Sequence, residues 1–339
     1  CASVTMEFGS VYHQALLPAV VSQRRVGLLS GLGYALNNAG AMITFAIWLA
    51  IPAMGLLTLL PEFGHERSAG PLAALWLTLF ALPLFLFTPD EARKGRRFFE
   101  AAAHGVRTLG GTLIKLGHYR NVATFMVARM LYYDGLNAVF VFIGIYAAGV
   151  FGWTTEKVGL YGLIVIVFGV VAAVAGGWLD DRLGSKRTIA VSLALFMLGL
   201  VVSIGMTPDT VFYFFPVDAA ANAKGVAGIG PLLSVVGFST LTEQLYVLSG
   251  IFAAIFIIPA QASSRTMLTR LAPTSMVAEF FGLYALTGRA TSWLAPTTIA
   301  AVTAITQSQR GGFAVIFIFV AAGLALLLTV REERAAPAP

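Results

Sequence analysis

Nine stretches of this chain run for about 20 residues with almost no charge, near 2–20, 28–57, 70–88, 121–151, 157–179, 188–206, 244–262, 278–304 and 311–330. The hydrocarbon core of a bilayer, about 30 Å thick, asks for helices of that length. Backbone amides and carbonyls find no water in lipid, so a spanning segment must be a helix or a strand of a closed barrel. Barrel strands alternate apolar and polar residues; these runs are apolar throughout, which predicts helices. Of the 339 residues 58% are hydrophobic and 11% charged, against roughly a quarter charged in a soluble domain, so a water-soluble fold could not cover itself. The runs at 28–57 and 121–151 exceed what a bilayer needs, and tilt or kinks absorb the excess.

The positive charges give the threading a direction. With the connection after the first span on the cytoplasmic side, Arg24, Arg25, Arg93, Lys94, Arg96, Arg97, Arg107, Lys115, Arg120, Arg182, Lys186, Arg187, Arg265, Arg270, Arg331 and Arg334 all fall on that face. Only Arg67, Lys157, Lys224 and Arg310 fall outside, and Arg129 and Arg289 lie within spans. Cytoplasmic loops collect Lys and Arg, so nine spans fit this orientation. The net charge of +6 is thereby a matter of membrane orientation and anionic lipid rather than of nucleic acid.

From Asp90 to Arg120 the chain is polar and basic with Phe98, Phe99 and Leu109 interspersed, which predicts an amphipathic helix lying on the inner surface. The division is then 1–88 for three helices, 89–120 for the basic linker, 121–334 for six helices, and 335–339 for a tail. A second long connection, 207–243, lies outside and contains an apolar stretch from Val226 to Phe238, too short to span, which predicts a re-entrant or surface segment. A lone cysteine, Cys1, excludes a disulfide framework and a thiolate metal site.

The clearest motif is GGWLDDRLGSKR at 176–187, at the cytoplasmic end of the fifth span. Glycine there allows close helix approach and a tight turn, and Asp181 can pair with a cation or with the N-terminus of a neighbouring helix. With Gly177, Asp181, Arg182, Gly184, Lys186 and Arg187 the stretch resembles the loop signature of the major facilitator superfamily, in which it would serve as the inner gate. RMLYYDGLNAVFVFIGIYAAGVFG at 129–152 and QASSRTMLTRLAPTSMVAEFFGLYALTGRATSWLAP at 261–296 resemble the vacuole effluxer branch of that superfamily, which includes fungal vacuolar amino acid exporters. VYHQALLPAV at 11–20 and SGLGYALNNAG at 30–40 are similar to that branch's fourth and fifth helices. The resemblance implies an all-α facilitator fold of twelve helices. Three of them would precede Cys1, making this chain an N-terminally truncated piece.

Charged groups inside a membrane are costly, and each is by default a functional candidate. Counting about 1.5 Å per residue from the cytoplasmic ends, Glu7 and Asp134 lie roughly 21 Å deep, Arg289 about 17 Å and Arg129 about 13 Å. Asp134 and Asn137, three apart, share a helix face, with Tyr133 on the adjoining stripe. Arg129, five residues before Asp134, is about 140° around the helix from it and needs another partner. The expected arrangement pairs Asp134 with Arg289 across the bundle, with Glu7 facing the cavity from the other side.

Other features carry less. His13, His65, His104 and His118 form no relay or metal set. Glu279 reads as an N-terminal helix charge meeting the macrodipole, Trp153 and Trp293 as interfacial anchors, and Pro18, Pro259 and Pro296 as helix kinks. No phosphate loop or nucleophile elbow is present, so the energy for movement comes from a gradient. The expectation is a secondary transporter of a bacterial inner membrane, without cofactor or metal. It would move a small polar solute, amino acids being one class, with proton coupling through Asp134 or Glu7. The alternatives are a membrane-embedded lipid-modifying enzyme and a non-transporting receptor or scaffold.

Overall fold

The computed structural model describes residue 9 and residues 25–51, 64–87, 98–115, 117–273 and 276–332. The first expected span, with Glu7, His13 and Pro18, lies outside these residues, as do Arg24, Arg93, Lys94, Arg96, Arg97 and Arg334.

The described chain is helical almost throughout. In order come α1 (Val26–Ala50), α2 (Gly64–Phe87), α3 (Phe98–Lys115), α4 (Arg120–Phe151), α5 (Thr155–Leu183) and α6 (Ser185–Ile204). A two-stranded hairpin follows, β1 (Thr210–Val211) and β2 (Phe215–Pro216), then α7 (Ala219–Lys224), α8 (Gly230–Val235), α9 (Leu241–Leu271), α10 (Val277–Ala290), α11 (Leu294–Thr306) and α12 (Gln309–Thr329). Among the described residues six helices are long and apolar enough to cross a membrane: α2, α4, α5, α6, α9 and α12. All six coincide with expected spans. α1 has 25 residues, but its apolar run is interrupted by Asn37 and Asn38.

Two departures matter for function. The span expected at 278–304 is two helices, α10 and α11, separated by Thr291–Trp293. Pro296 accounts for the break: it has no N–H to give the carbonyl four residues back, and its ring crowds that carbonyl. α9, expected to end near 262, runs on to Leu271 with Pro259 inside it. Its extension, SSRTMLTR, is polar in composition yet mostly buried. Ser264 Oγ and Thr269 Oγ1 bond carbonyls one turn back, of Ala260 (2.5 Å) and Arg265 (3.1 Å), so these two hydroxyls enter the interior already satisfied, while those of Ser263 and Thr266 are buried without a partner. Arg265, assigned by composition to the cytoplasmic loop, is therefore inside a helix.

The chain forms two compact units, Leu36–Arg107 on one side and Cys1–Ala35 with Thr108–Pro339 on the other. In the smaller, the Trp76 ring lies over Gly40, and α2 exposes Leu75, Leu79, Phe80, Phe85 and Phe87, the surface expected of a helix in lipid. In the larger unit α9 is the most deeply buried long helix, packed against α5 and α6, while α12 packs on α4, α6 and α11. Small residues bring these helices together, since lipid offers no hydrophobic drive to pair them. A Cβ on Gly177 of α5 would lie 2.5 Å from the Gly27 carbonyl oxygen and 3.1 Å from Gly31 Cα, so α5 meets a G-x-x-x-G face of α1 backbone to backbone.

The connection 207–240 is a folded cap rather than a spanning or re-entrant helix. The Gln244 side chain organises it: Oε1 accepts the Val226 amide (2.6 Å) and Nε2 donates to the carbonyls of Gly230 (3.1 Å) and Phe238 (2.9 Å) and to Ser234 Oγ (3.1 Å). Trp153, read from sequence as an interfacial anchor, is 5% exposed. Its Nε1 donates to Glu243 Oε1 (2.9 Å), which Lys157 also reaches (2.5 Å). Its ring packs among Tyr161, Phe238 and Tyr246. A two-sided neighbourhood of aromatic rings and a partly buried carboxylate replaces the lipid boundary for this indole. Trp293 is exposed.

Candidate functional site

Three groupings of polar residues stand out in the larger unit. The first is the loop motif. Asp181 Oδ1 and Oδ2 accept the amides of Gly27 and Leu28, both at 2.8 Å. These are among the first amides of α1, which have no partner within their own helix, so Asp181 caps a helix distant in sequence, and the macrodipole favours its charge there. Arg270 of α9 lies 3.3 Å from Asp180, not aligned for a hydrogen bond, and 3.4 Å from Asp181. Its other terminal nitrogen reaches Ser185 Oγ (2.9 Å) and Glu332 (3.2 Å). Glu332 in turn accepts the Ser185 and Lys186 amides (2.9 and 3.0 Å), capping α6. Gly184, at φ 91°, supplies the turn between α5 and α6 that only glycine adopts easily. Lys186 Nζ donates to the Leu328 carbonyl (2.7 Å), and Arg182 lies over the Trp178 ring (3.7 Å). Arg187 follows in the first turn of α6. The motif thus ties α5, α6, α9, the end of α12 and the start of α1 into one charge network.

The second grouping is the helix break. Asp134, 3% exposed, turns one carboxylate oxygen to the Ala295 amide at the start of α11 (3.1 Å) and leaves the other buried without a partner. The expected pairing with Arg289 is not made. Arg289 ends α10 with an exposed side chain, and the carboxylate goes instead to a backbone donor freed by the break. Irregular backbone in a membrane persists only where its groups find other partners. Side chains supply them here: Ser292 Oγ donates to the Arg289 carbonyl (3.0 Å), Trp293 Nε1 to Ala290 (3.0 Å), Thr297 Oγ1 to Trp293 (2.6 Å) and Thr298 Oγ1 to Leu294 (2.7 Å).

The third grouping surrounds Arg129. Its guanidinium lies 3.4 Å from the Tyr284 ring centroid and 4.2 Å from that of Tyr133, and Nη1 donates to the Tyr284 carbonyl (2.9 Å). Tyr133 is one turn after Arg129, so the i, i+4 spacing joins the two on one stripe, whereas Asp134, at i+5, falls on another. Gly288 leaves the space: a Cβ there would lie 3.1 Å from Arg129 Nη1. Arg265 sits 5.1 Å over the Tyr34 ring, with Nη2 on the Ser30 carbonyl (2.7 Å), and the Tyr34 hydroxyl bonds Gln261 Oε1. Asn137 is half-buried one turn beyond Tyr133.

The structure therefore brings Arg129 and Tyr133 together, sets Asp134 apart at the helix break, leaves Arg289 beside that break, and places Glu7 outside the described residues. The sequence reading missed Arg265, Tyr34, Gln261 and Tyr284. An available signal was QASSR, where a glutamine and an arginine one turn apart follow an apolar run. Among the described residues no cluster of His, Cys, Asp and Glu could hold a metal.

A family model described as vacuole effluxer Atg22 like matches residues 19–338. The chain belongs to the Atg22-like vacuole effluxer family. It is 24% identical to the uncharacterized MFS-type transporter YxiO of Bacillus subtilis over 96% of its own length and 68% of that protein. It is 24% identical to autophagy-related protein 22 of Cryptococcus neoformans, over 90% of its own length and 50% of that protein, and 23% to autophagy-related protein 22-1 of Aspergillus fumigatus, over 78% and 42%. The chain thus spans about half the length of these fungal relatives. The crystal structure of the Escherichia coli fucose:proton symporter FucP superposes with a TM-score of 0.60 over 95% of this chain and 73% of that one, at 12% identity. The fold is accordingly the all-α facilitator fold. The Atg22-like chain is an integral, multi-pass membrane protein whose kin are membrane transporters rather than enzymes.

Proposed function

We propose that this protein is a secondary transporter that moves a small polar solute across a membrane by alternating access, with Asp134 as the protonatable coupling group and the 177–187 loop as the inner gate. The observation that carries this reading is the carboxylate of Asp134 at the broken span. It is buried, half-satisfied, and bonded to the first turn of α11. An ionised Asp134 favours the exposed amides and positive end of that half-helix, whereas a protonated one gives up much of that attraction. Protonation thereby acts on an interrupted helix, and discontinuous helices are where many secondary transporters place their ion sites. At the other end, the Asp181 cap on α1 joins parts of the chain far apart in sequence through a few hydrogen bonds, an attachment weak enough to be made and broken in each cycle.

Glu7, Arg129, Tyr133, Asn137 and Arg289 remain candidates for solute contact. Amino acids are the first solutes to assay on the strength of the resemblance to fungal vacuolar exporters, and a bacterial inner membrane is the proposed location. Proteoliposomes bearing the full chain, loaded with a radiolabelled amino acid mixture, test the reading. Efflux that rises with an imposed pH gradient, and that loses its gradient dependence in Asp134→Asn while the variant stays folded, is the expected result. Gradient-dependent efflux unchanged by that substitution would remove Asp134 from the coupling role.

A further inference from the structure

Among the described residues the buried cation Arg129 and the partly buried cation Arg265 have no counter-ion. Every ion pair among the described residues is made elsewhere, by Lys157 with Glu243 and by Arg270 with Asp180, Asp181 and Glu332. Arg129 is 4% exposed and its Nε has no partner; Arg265 Nε is likewise buried and unpartnered. Each donates to a neutral backbone carbonyl. Desolvating a charge is costly even after relaxation, and proteins ordinarily offset that with a partner of opposite sign. Two such cations sit close enough for their charges to interact, with Tyr34, Tyr133 and Tyr284 around both, so the cluster carries uncompensated positive charge. The tyrosine faces offset only part of it, because a ring quadrupole attracts a cation less than a full opposite charge does.

We propose, resting on the transport reading above, that these residues form the solute site and that its solute is a small organic anion bound through a carboxylate. The guanidinium fork matches a carboxylate with two parallel hydrogen bonds, and arginine serves this purpose better than lysine. Arg129 and Arg265 offer such donors from α4 and α9, so one carboxylate, or the two ends of a dicarboxylate, draws the two helices and α1 together. Gln261 adds a buried Nε2 that has no partner. The ring faces of Tyr133 and Tyr284 suit a flat or apolar remainder of the solute.

The competing explanation is that each arginine is a static stitch, Arg129 joining α4 to α10 and Arg265 joining α9 to α1. The full chain in lipid nanodiscs separates the two. Benzoate and its neutral isostere benzamide are titrated against it by calorimetry, with leucine and inorganic phosphate as further probes. The expected result is benzoate binding at least tenfold tighter than benzamide, weakened by chloride. That preference is lost in Arg129→Gln and in Arg265→Gln and is partly kept in Arg265→Lys. If either glutamine variant fails to fold, the chloride dependence and the benzoate-to-benzamide ratio of the unaltered protein decide alone. Equal binding of benzoate and benzamide, or tighter binding of phosphate or leucine than of benzoate, overturns the assignment. Benzoate binding without solute flux would instead leave the anion site standing and remove the transport reading. Solute flux that persists in the Arg129→Gln and Arg265→Gln variants would do the reverse.

Discussion

Asp134 holds the Ala295 amide at 3.1 Å across the interruption between α10 and α11, so an acidic side chain and a helix break more than a hundred residues away form one structural unit. Replacing Asp134 with Leu strands that amide in a buried setting, and an unsatisfied buried donor costs about 1–3 kcal/mol. The expected outcome is a lower Tm in detergent for Asp134→Leu and a smaller loss for Asp134→Asn, whose amide oxygen still accepts. Equal Tm values for all three proteins would show that the bond contributes nothing.

Pro296→Ala restores the hydrogen-bond donor whose loss interrupts the span. Proline inside a helix costs about 3 kcal/mol or more, so the variant is expected to be the more thermostable protein, with slower solute flux because the break has been partly healed. Amide exchange across 289–297 measures the healing directly. Faster flux with unchanged exchange would sink the idea that the interruption is useful.

Asp181 satisfies two amides of α1, and losing a side-chain cap costs about 0.5–2 kcal/mol. Asp181→Ala should therefore raise the population in which the motif end of the larger unit is open. A single cysteine placed at Ser30 should react with a water-soluble maleimide several-fold faster in that background. Unchanged labelling would mean that Asp181 holds no closed state.

Gln244 makes four hydrogen bonds that organise the 207–240 cap. Gln244→Leu is expected to leave the helices in place yet to open the cap, seen as rapid amide exchange and new proteolytic cleavage between 226 and 238. Protection equal to that of the unaltered protein would show that the Trp153 ring cluster suffices.

Which of these features could be read from the residues depends on how local their causes are. Span positions and helix type follow from uninterrupted apolar runs, a property of neighbouring residues, and six of the expected spans are single helices where the runs lie. The contacts of Asp181 were legible as one of two kinds, a cation or a helix N-terminus, because an acid beside a glycine turn calls for a partner on a neighbouring helix, and both are made, to the α1 amides and to Arg270. The partner of Asp134 was not legible. A carboxylate in lipid calls for a cation in any pairwise account, and Arg289 was at the right depth, but a proline had already freed a backbone amide nearer at hand. Arg265 was hidden for a related reason: an arginine near a span's end looks solvated until the hydroxyls around it are seen to bond their own helix, which lets α9 carry it inward. Tyr34 and Tyr284 lie far from Arg129 in sequence, and nothing in their own neighbourhoods announces a ring facing a cation.

The contact between Gly177 and the Gly27–Gly31 face of α1 joins two segments that lie on opposite sides of the linker in the chain. Side chains that interlock resist sliding and rolling alike, because each must leave one hole to enter the next. Two bare backbones in contact resist only separation and shear, and have no rotamers to reset when one turns over the other. Such a point behaves as a fulcrum. A Cβ on Gly27, Gly31 or Gly177 would lie 2.3–2.7 Å from a facing carbonyl oxygen and convert a bearing into a wedge, and under the proposed alternating access it would hinder turning as well as closure.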